Sequence, residues 1–136
     1  MTVVSTRLEF EQLLELRLRE AKLLLDNGYW DGSYYLSGYV VEFALKVRII
    51  SRLVGSNSYP DKSSVDKYFK HDLTKLRELA DLEAEMDSDP AMGPHWSLVK
   101  DWNEQSRYGL GKAEKDARDL YNAIEKEVLP WIKSRW

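Results

Sequence analysis

Residues 34–46 read Tyr34-Tyr35-Leu36-Ser37-Gly38-Tyr39-Val40-Val41-Glu42-Phe43-Ala44-Leu45-Lys46. Wound at 3.6 residues per turn, this stretch is apolar on almost every side, so it predicts a helix buried on several faces. It still carries one acid and one base four residues apart. Charged side chains are rarely buried unless paired, and acid-before-base at i, i+4 is the favoured order on a helix. Glu42 and Lys46 are therefore expected to be shielded together inside an all-α fold. The pair reads as a structural pair or as part of a polar site. The desolvation cost of a buried pair keeps the second reading in play. Ser33, Ser37 and Gly38 are small and would let another helix approach this one closely.

Outward from this helix, the chain punctuates itself with caps and breakers. Thr6-Arg7-Leu8-Glu9 has the spacing of a capping box. It predicts a first helix with Leu13, Leu14, Leu16, Leu18, Leu24 and Leu25 as its stripe, ended by Asn27-Gly28. Asp31 is expected to cap the second helix, which runs to about Val54 and stops at Gly55. Gly55 to Ser64, with Tyr59-Pro60-Asp61, reads as a polar loop, and Val65 to Phe69 as a short helical turn. Asp72 caps a third helix through about Met86, with Leu73, Leu76, Leu79 and Leu82 on one face. Asp87 to Pro94 is a loop by composition. His95 to Arg107 reads as a short fourth helix with Trp96, Val99 and Trp102 inward, broken by Gly109-Leu110-Gly111. A last helix from about Lys112 carries Ala113, Ala117, Leu120, Tyr121, Ile124 and Val128. Pro130 should kink it or end its regular part. Nothing divides the chain, so residues 1–136 are expected to form a single helical domain.

Composition narrows the function. The chain has 136 residues, 43% hydrophobic and 32% charged, which suits a soluble globular domain with a real core. A net charge of -3 argues against holding nucleic acid by bulk electrostatics and leaves only a local basic patch. There is no cysteine, which removes disulfides and thiolate metal sites and is compatible with a cytoplasmic protein. No signal peptide is read at the N-terminus. No segment has the roughly 18 uninterrupted apolar residues of a membrane span, so no membrane partner is expected. No His/Asp/Glu set has metal-ligand spacing on one helix, and no cofactor is called for.

Four features in order resemble the HEPN domain family. A first helix ends in Leu24-Leu25-Asp26-Asn27-Gly28-Tyr29-Trp30-Asp31. A long second helix carries Tyr35, Gly38, Glu42, Leu45 and Lys46. His71-Asp72-Leu73 opens the third helix, with Leu76 one turn on. Trp102 and Arg107-Tyr108 precede a final amphipathic helix ending in Leu129-Pro130-Trp131-Ile132. The resemblance spans roughly Leu13 to Ile132. It implies an up-and-down bundle of four or five helices, usually dimeric. Many members are metal-independent RNases that use Arg-x(4–6)-His near the start of the last long helix. Others pair with a minimal nucleotidyltransferase in toxin–antitoxin modules.

The implied RNase chemistry needs an imidazole to move protons near neutral pH and a guanidinium to stabilise charge on the phosphate. Arg107 stands where the family's Arg would be. The positions that should offer the His are Lys112, Ala113 and Glu114, and none supplies an imidazole. Glu114 is a base in principle but reads as a solvated helix residue. The two histidines are elsewhere. His71 reads as a cap or surface residue, or as one arm of a composite site with Arg107. His95, between Pro94 and Trp96, reads as loop packing. Arg107 pairs with Glu104 or caps carbonyls in its bland reading, and lines a ligand groove in its functional one. Tyr29, Trp30, Tyr34, Tyr35, Tyr39, Trp96, Trp102 and Tyr108 have two readings, as core or interface residues and as base-stacking platforms. Alternating charges from Lys112 to Asp119 read as a solvated face.

The expected function is accordingly a non-catalytic or degenerate module that binds a nucleotidyltransferase-like protein or a nucleotide or RNA ligand, as a homodimer. The alternatives are an RNase with an altered site around Arg107, and a purely structural dimeric adaptor. The ligand-groove candidates are Arg107, Tyr108, His71, Glu42, Lys46, Trp102 and Asn103.

Overall fold

A computed structural model of the chain describes residues 6–52, 72–103 and 110–136. Helix α1 spans Arg7–Asp26 and α2 spans Trp30–Arg52; three short helices follow, α3 (Leu73–Leu79), α4 (Glu83–Asp87) and α5 (Gly93–Val99). The last leg is α6 (Glu114–Ala123), a π-helical turn (Ile124–Val128) and α7 (Leu129–Lys133), continuous with one another. Among the described residues there is no strand. The loop around Tyr59-Pro60-Asp61 and the turn at Val65–Phe69 lie outside them, as do the Gly55 stop of α2, Gly109 and the 104–107 end of the fourth helix.

Long-range hydrogen bonds fix the directions. Arg7 Nη1 donates to Ser51 Oγ at 2.8 Å, and Ser33 Oγ donates to the Ala21 carbonyl at 2.8 Å, so α1 and α2 are antiparallel. The Lys112 N–H donates to Asp31 Oδ1 at 2.9 Å, while the Trp136 indole N–H donates to the Ala44 carbonyl at 3.1 Å. The last leg therefore runs parallel to α2. Arg48 of α2 donates to the carbonyls of Ala80 (3.2 Å) and Arg135 (2.6 Å), and Trp102 reaches back to Tyr35. The chain thus returns along α2 between Ala80 and Trp102, as a third leg broken into α3–α5. The result is an up-and-down helical bundle around α2, as expected from its apolar pattern. Val40, Val41, Ala44, Leu45 and Val47 are all fully buried.

The capping box forms: the Glu9 N–H donates to Thr6 Oγ1 and the Thr6 N–H to Glu9 Oε1. Gly28, at φ 82°, ends α1 in a Schellman motif, with Gly28 N–H on the Leu25 carbonyl and Tyr29 N–H on the Leu24 carbonyl. Asp72 caps α3 by accepting from Thr74 N and Lys75 N.

Four expectations are corrected. The helix opened by Asp72 stops at Leu79 and not near Met86, because Asp81 takes φ 57° and closes a second Schellman motif: Asp81 N–H on the Glu78 carbonyl, Leu82 N–H on that of Arg77. Asp31 does not cap α2, which already starts at Trp30; its carboxylate accepts from the loop before α6 instead. The fourth helix begins at Gly93 and ends at Val99, so His95 lies in a helical first turn and Trp102 lies beyond the helix. The last helix starts at Glu114, leaving Ala113 exposed before it.

Pro130 does not end the last leg. Proline has no N–H, and its ring collides with the carbonyl four residues back. Here the helix widens into the π turn, with Leu129 N–H on the Ile124 carbonyl, and continues through Pro130 to Lys133.

Candidate functional site

Helix α2 presents Gly38, Glu42 and Lys46 at intervals of four, one above another on a single face. Lys46 Nζ donates to Glu42 Oε2 at 3.1 Å. Glu42 is 1% exposed and Lys46 7%, so the pair is buried as its neighbours require. The Lys46 ammonium also lies 5.7 Å from the centre of the Phe10 ring of α1, within reach of the ring's negative face.

One turn below the pair, Trp102 lies flat on Gly38. A β-carbon added at Gly38 would stand 2.0 Å from the indole, so only glycine admits the ring. Trp102 is 2% exposed, and its N–H donates to the Tyr35 carbonyl at 3.1 Å, using a lone pair that the helical ladder leaves over. Tyr39 meets it edge-on at 5.1 Å, and Tyr35 tilts against it at 6.4 Å. Tyr39 stacks in turn on Phe43 at 5.7 Å, and Phe43 on Phe10 at 5.8 Å. The Tyr35 hydroxyl donates to that of Tyr39 at 3.0 Å. An aromatic ladder therefore runs alongside the charged pair and ties α1, α2 and the end of the third leg together.

The small residues of α2 are used inside the molecule. Ser33 is bonded to α1 and Gly38 carries Trp102, so neither they nor the buried Ser37 is open to a second copy. This removes the close helix approach by a partner that the sequence suggests. Asn103 follows Trp102 and is exposed. Of the groove candidates, Glu42, Lys46 and Trp102 lie buried together along α2. Arg107, Tyr108 and His71 lie outside the described residues.

The three positions that should offer a histidine are occupied by other tasks. The Lys112 ammonium sits 4.2 Å from the centre of the Tyr34 ring. The Ala113 N–H donates to Asp116 Oδ2 at 3.0 Å. Glu114 accepts from Arg118 Nη2 at 2.8 Å on an exposed face, the solvated role expected of it. His95 is half-buried in a shallow groove with Leu98, Asp119, Asn122 and Lys126. Among the described residues no group of His, Asp or Glu could hold a metal ion, and no helix is long and apolar enough to cross a membrane.

With this geometry in hand, comparison with known families finds the HEPN domain matching residues 15–135. The chain belongs to the HEPN family. The match takes in α1 from Glu15 onward and everything after it to the end of the last leg. No curated protein and no solved structure matches the chain.

Sequence reasoning missed several residues that organise this HEPN bundle. Arg48 reads as an interruption of an apolar run, yet it holds both the end of α3 and the C-terminal turn. Trp136 carries no signal in the sequence, yet its indole N–H donates to the Ala44 carbonyl. Arg77, which no feature of the sequence singles out, is buried. No local signal marks them, because each is placed by segments distant in the chain.

Proposed function

We propose that this chain is a non-catalytic HEPN module, one domain over residues 1–136, that acts by binding. Its ligand is a nucleotidyltransferase-like protein in a toxin–antitoxin setting, or a nucleotide or RNA. The observation that carries the reading is the absence of an imidazole at Lys112, Ala113 and Glu114, together with the structural contacts those residues make. An RNase of the family's kind needs a proton-transfer group there. Glu114, paired with Arg118 in water, is a poor substitute.

The module is read as a homodimer. Support comes from the outer face of α1, where Leu8, Leu16 and Leu23 stay exposed within one stripe that a second copy would cover. Two readouts test the proposal. A minimal nucleotidyltransferase, mononucleotides and single-stranded RNA are each titrated with the protein in the presence of chelator. Saturable binding of at least one, with RNA left intact, is expected. Binding of none would move the account to the structural adaptor.

A further inference from the structure

Away from the Glu42–Trp102 seam, α3, α4 and α5 enclose a second polar pocket. Its floor is Arg77, Trp96 and Met86, all buried; Thr74, Asp87, Ser97 and Lys100 rise around it. Gly93 leaves the wall open, since a β-carbon there would meet nothing within 4 Å.

Arg77 is the unusual member. It is 6% exposed, and its guanidinium lies 4.8 Å from the centre of the Trp96 ring. Among the described residues its one hydrogen-bond partner is Asp87, with Nη1 donating to Oδ1 at 2.9 Å, and Asp87 is itself 60% exposed. The buried Nε has no acceptor among the described residues. A guanidinium carries five N–H donors in a planar fork that suits two-point recognition of oxyanions. A single, largely solvated carboxylate on one nitrogen is a thin return for its desolvation, and a buried donor left unmade is costly. A second cation, Lys100, and the Thr74 and Ser97 hydroxyls stand around the same opening. They add charge and donors suited to a small tetrahedral anion.

We propose that this pocket is a binding site for a phosphate group, free or as a phosphomonoester. Arg77 turns its fork to the phosphate, Lys100 adds charge from the rim, and Asp87 is the internal carboxylate that the phosphate displaces. The proposal does not rest on the binding reading of the preceding subsection and shares no residue with the α2 seam.

The test titrates the full-length protein with inorganic phosphate and, separately, with a mononucleotide, at low ionic strength. Calorimetry is read together with the NMR signal of the Arg77 Nε–H. Saturable binding in the millimolar range or tighter is expected, with a shift of that signal. Lys100→Ala, an exposed change that leaves the fold alone, should weaken it about tenfold, the worth of one charge-assisted hydrogen bond. Asp87→Asn should tighten it, because the internal competitor is lost. Comparable affinity for the two ligands assigns the site to phosphate itself; preference for the mononucleotide assigns it to a phosphomonoester. Absence of saturable binding, or binding indifferent to both substitutions, would overturn the proposal. Failure here with intact RNA or partner binding would leave the binding reading untouched.

Discussion

Glu42 and Lys46 show how far a single residue's chemistry can be read in advance. An acid and a base four residues apart in a largely apolar stretch are expected to pair, and they meet at 3.1 Å in the core. Glu42→Ala should cost ~3–5 kcal/mol in chemical denaturation, because it takes the carboxylate away from a buried ammonium. Glu42→Leu with Lys46→Met should restore most of the loss. A single-site loss of only about 0.3–0.5 kcal/mol, the worth of an exposed helix pair, would contradict the burial. Gly38→Ala should also destabilise, by about 1–3 kcal/mol from overpacking despite alanine's better helix propensity, since its methyl group meets the Trp102 ring. Tyr121 adds a pH signature. Burial first, then Glu125 and Asp26, push its phenol above the ordinary 10.0. The folded state therefore holds the proton longer than the unfolded chain. Stability from this group is complete below pH 10.0 and is lost as pH rises through the raised value. Tyr121→Phe should flatten that alkaline loss in a melting-temperature series. An unchanged profile would assign the loss to other groups.

At the scale of elements, the helix ends separate what local chemistry announces from what it conceals. α1 and α3 end in the same Schellman motif. The first puts Gly28 in the left-handed position, which the dipeptide Asn27-Gly28 advertises. The second puts Asp81 there, and aspartate carries no comparable signal, so the apolar spacing from Leu73 to Leu82 reads as one helix. A left-handed non-glycine residue is strained by roughly 1–2 kcal/mol. Asp81→Gly should therefore raise stability by up to about 1 kcal/mol, because its ion pair with Arg52 is exposed on both sides and worth little. A lower denaturation midpoint would show that the Arg52 contact matters more than the strain. The last leg hides its geometry in the same way. Proline predicts an interruption; whether the chain kinks or widens into a π turn is decided by packing against α2 and α5. The cation at Arg77 is concealed for a related reason. Its burial comes from α4 and α5 folding over α3, which no window of local sequence contains.

For the whole molecule, the all-α bundle and its central helix follow from the period of the apolar residues and from the caps. The family follows from four features in order. Of the candidate residues, Glu42, Lys46 and Trp102 come together along α2 as their spacing suggests, whereas the pocket around Arg77 depends on how the third leg is broken. The dimer is expected to be read by light scattering as twice the chain mass of 15.9 kDa. Leu16→Glu with Leu23→Glu on α1 should return it to the monomer mass. A wild-type monomer at micromolar concentration would remove the dimer.

The claim on which the functional account turns is that the family's RNase chemistry is missing its proton-transfer group. The direct measurement incubates purified protein with fluorescently labelled single-stranded RNA in chelator near neutral pH, beside an Arg107→Ala preparation. The account predicts full-length RNA in both. Cleavage that grows with wild-type protein and disappears with Arg107→Ala would contradict it.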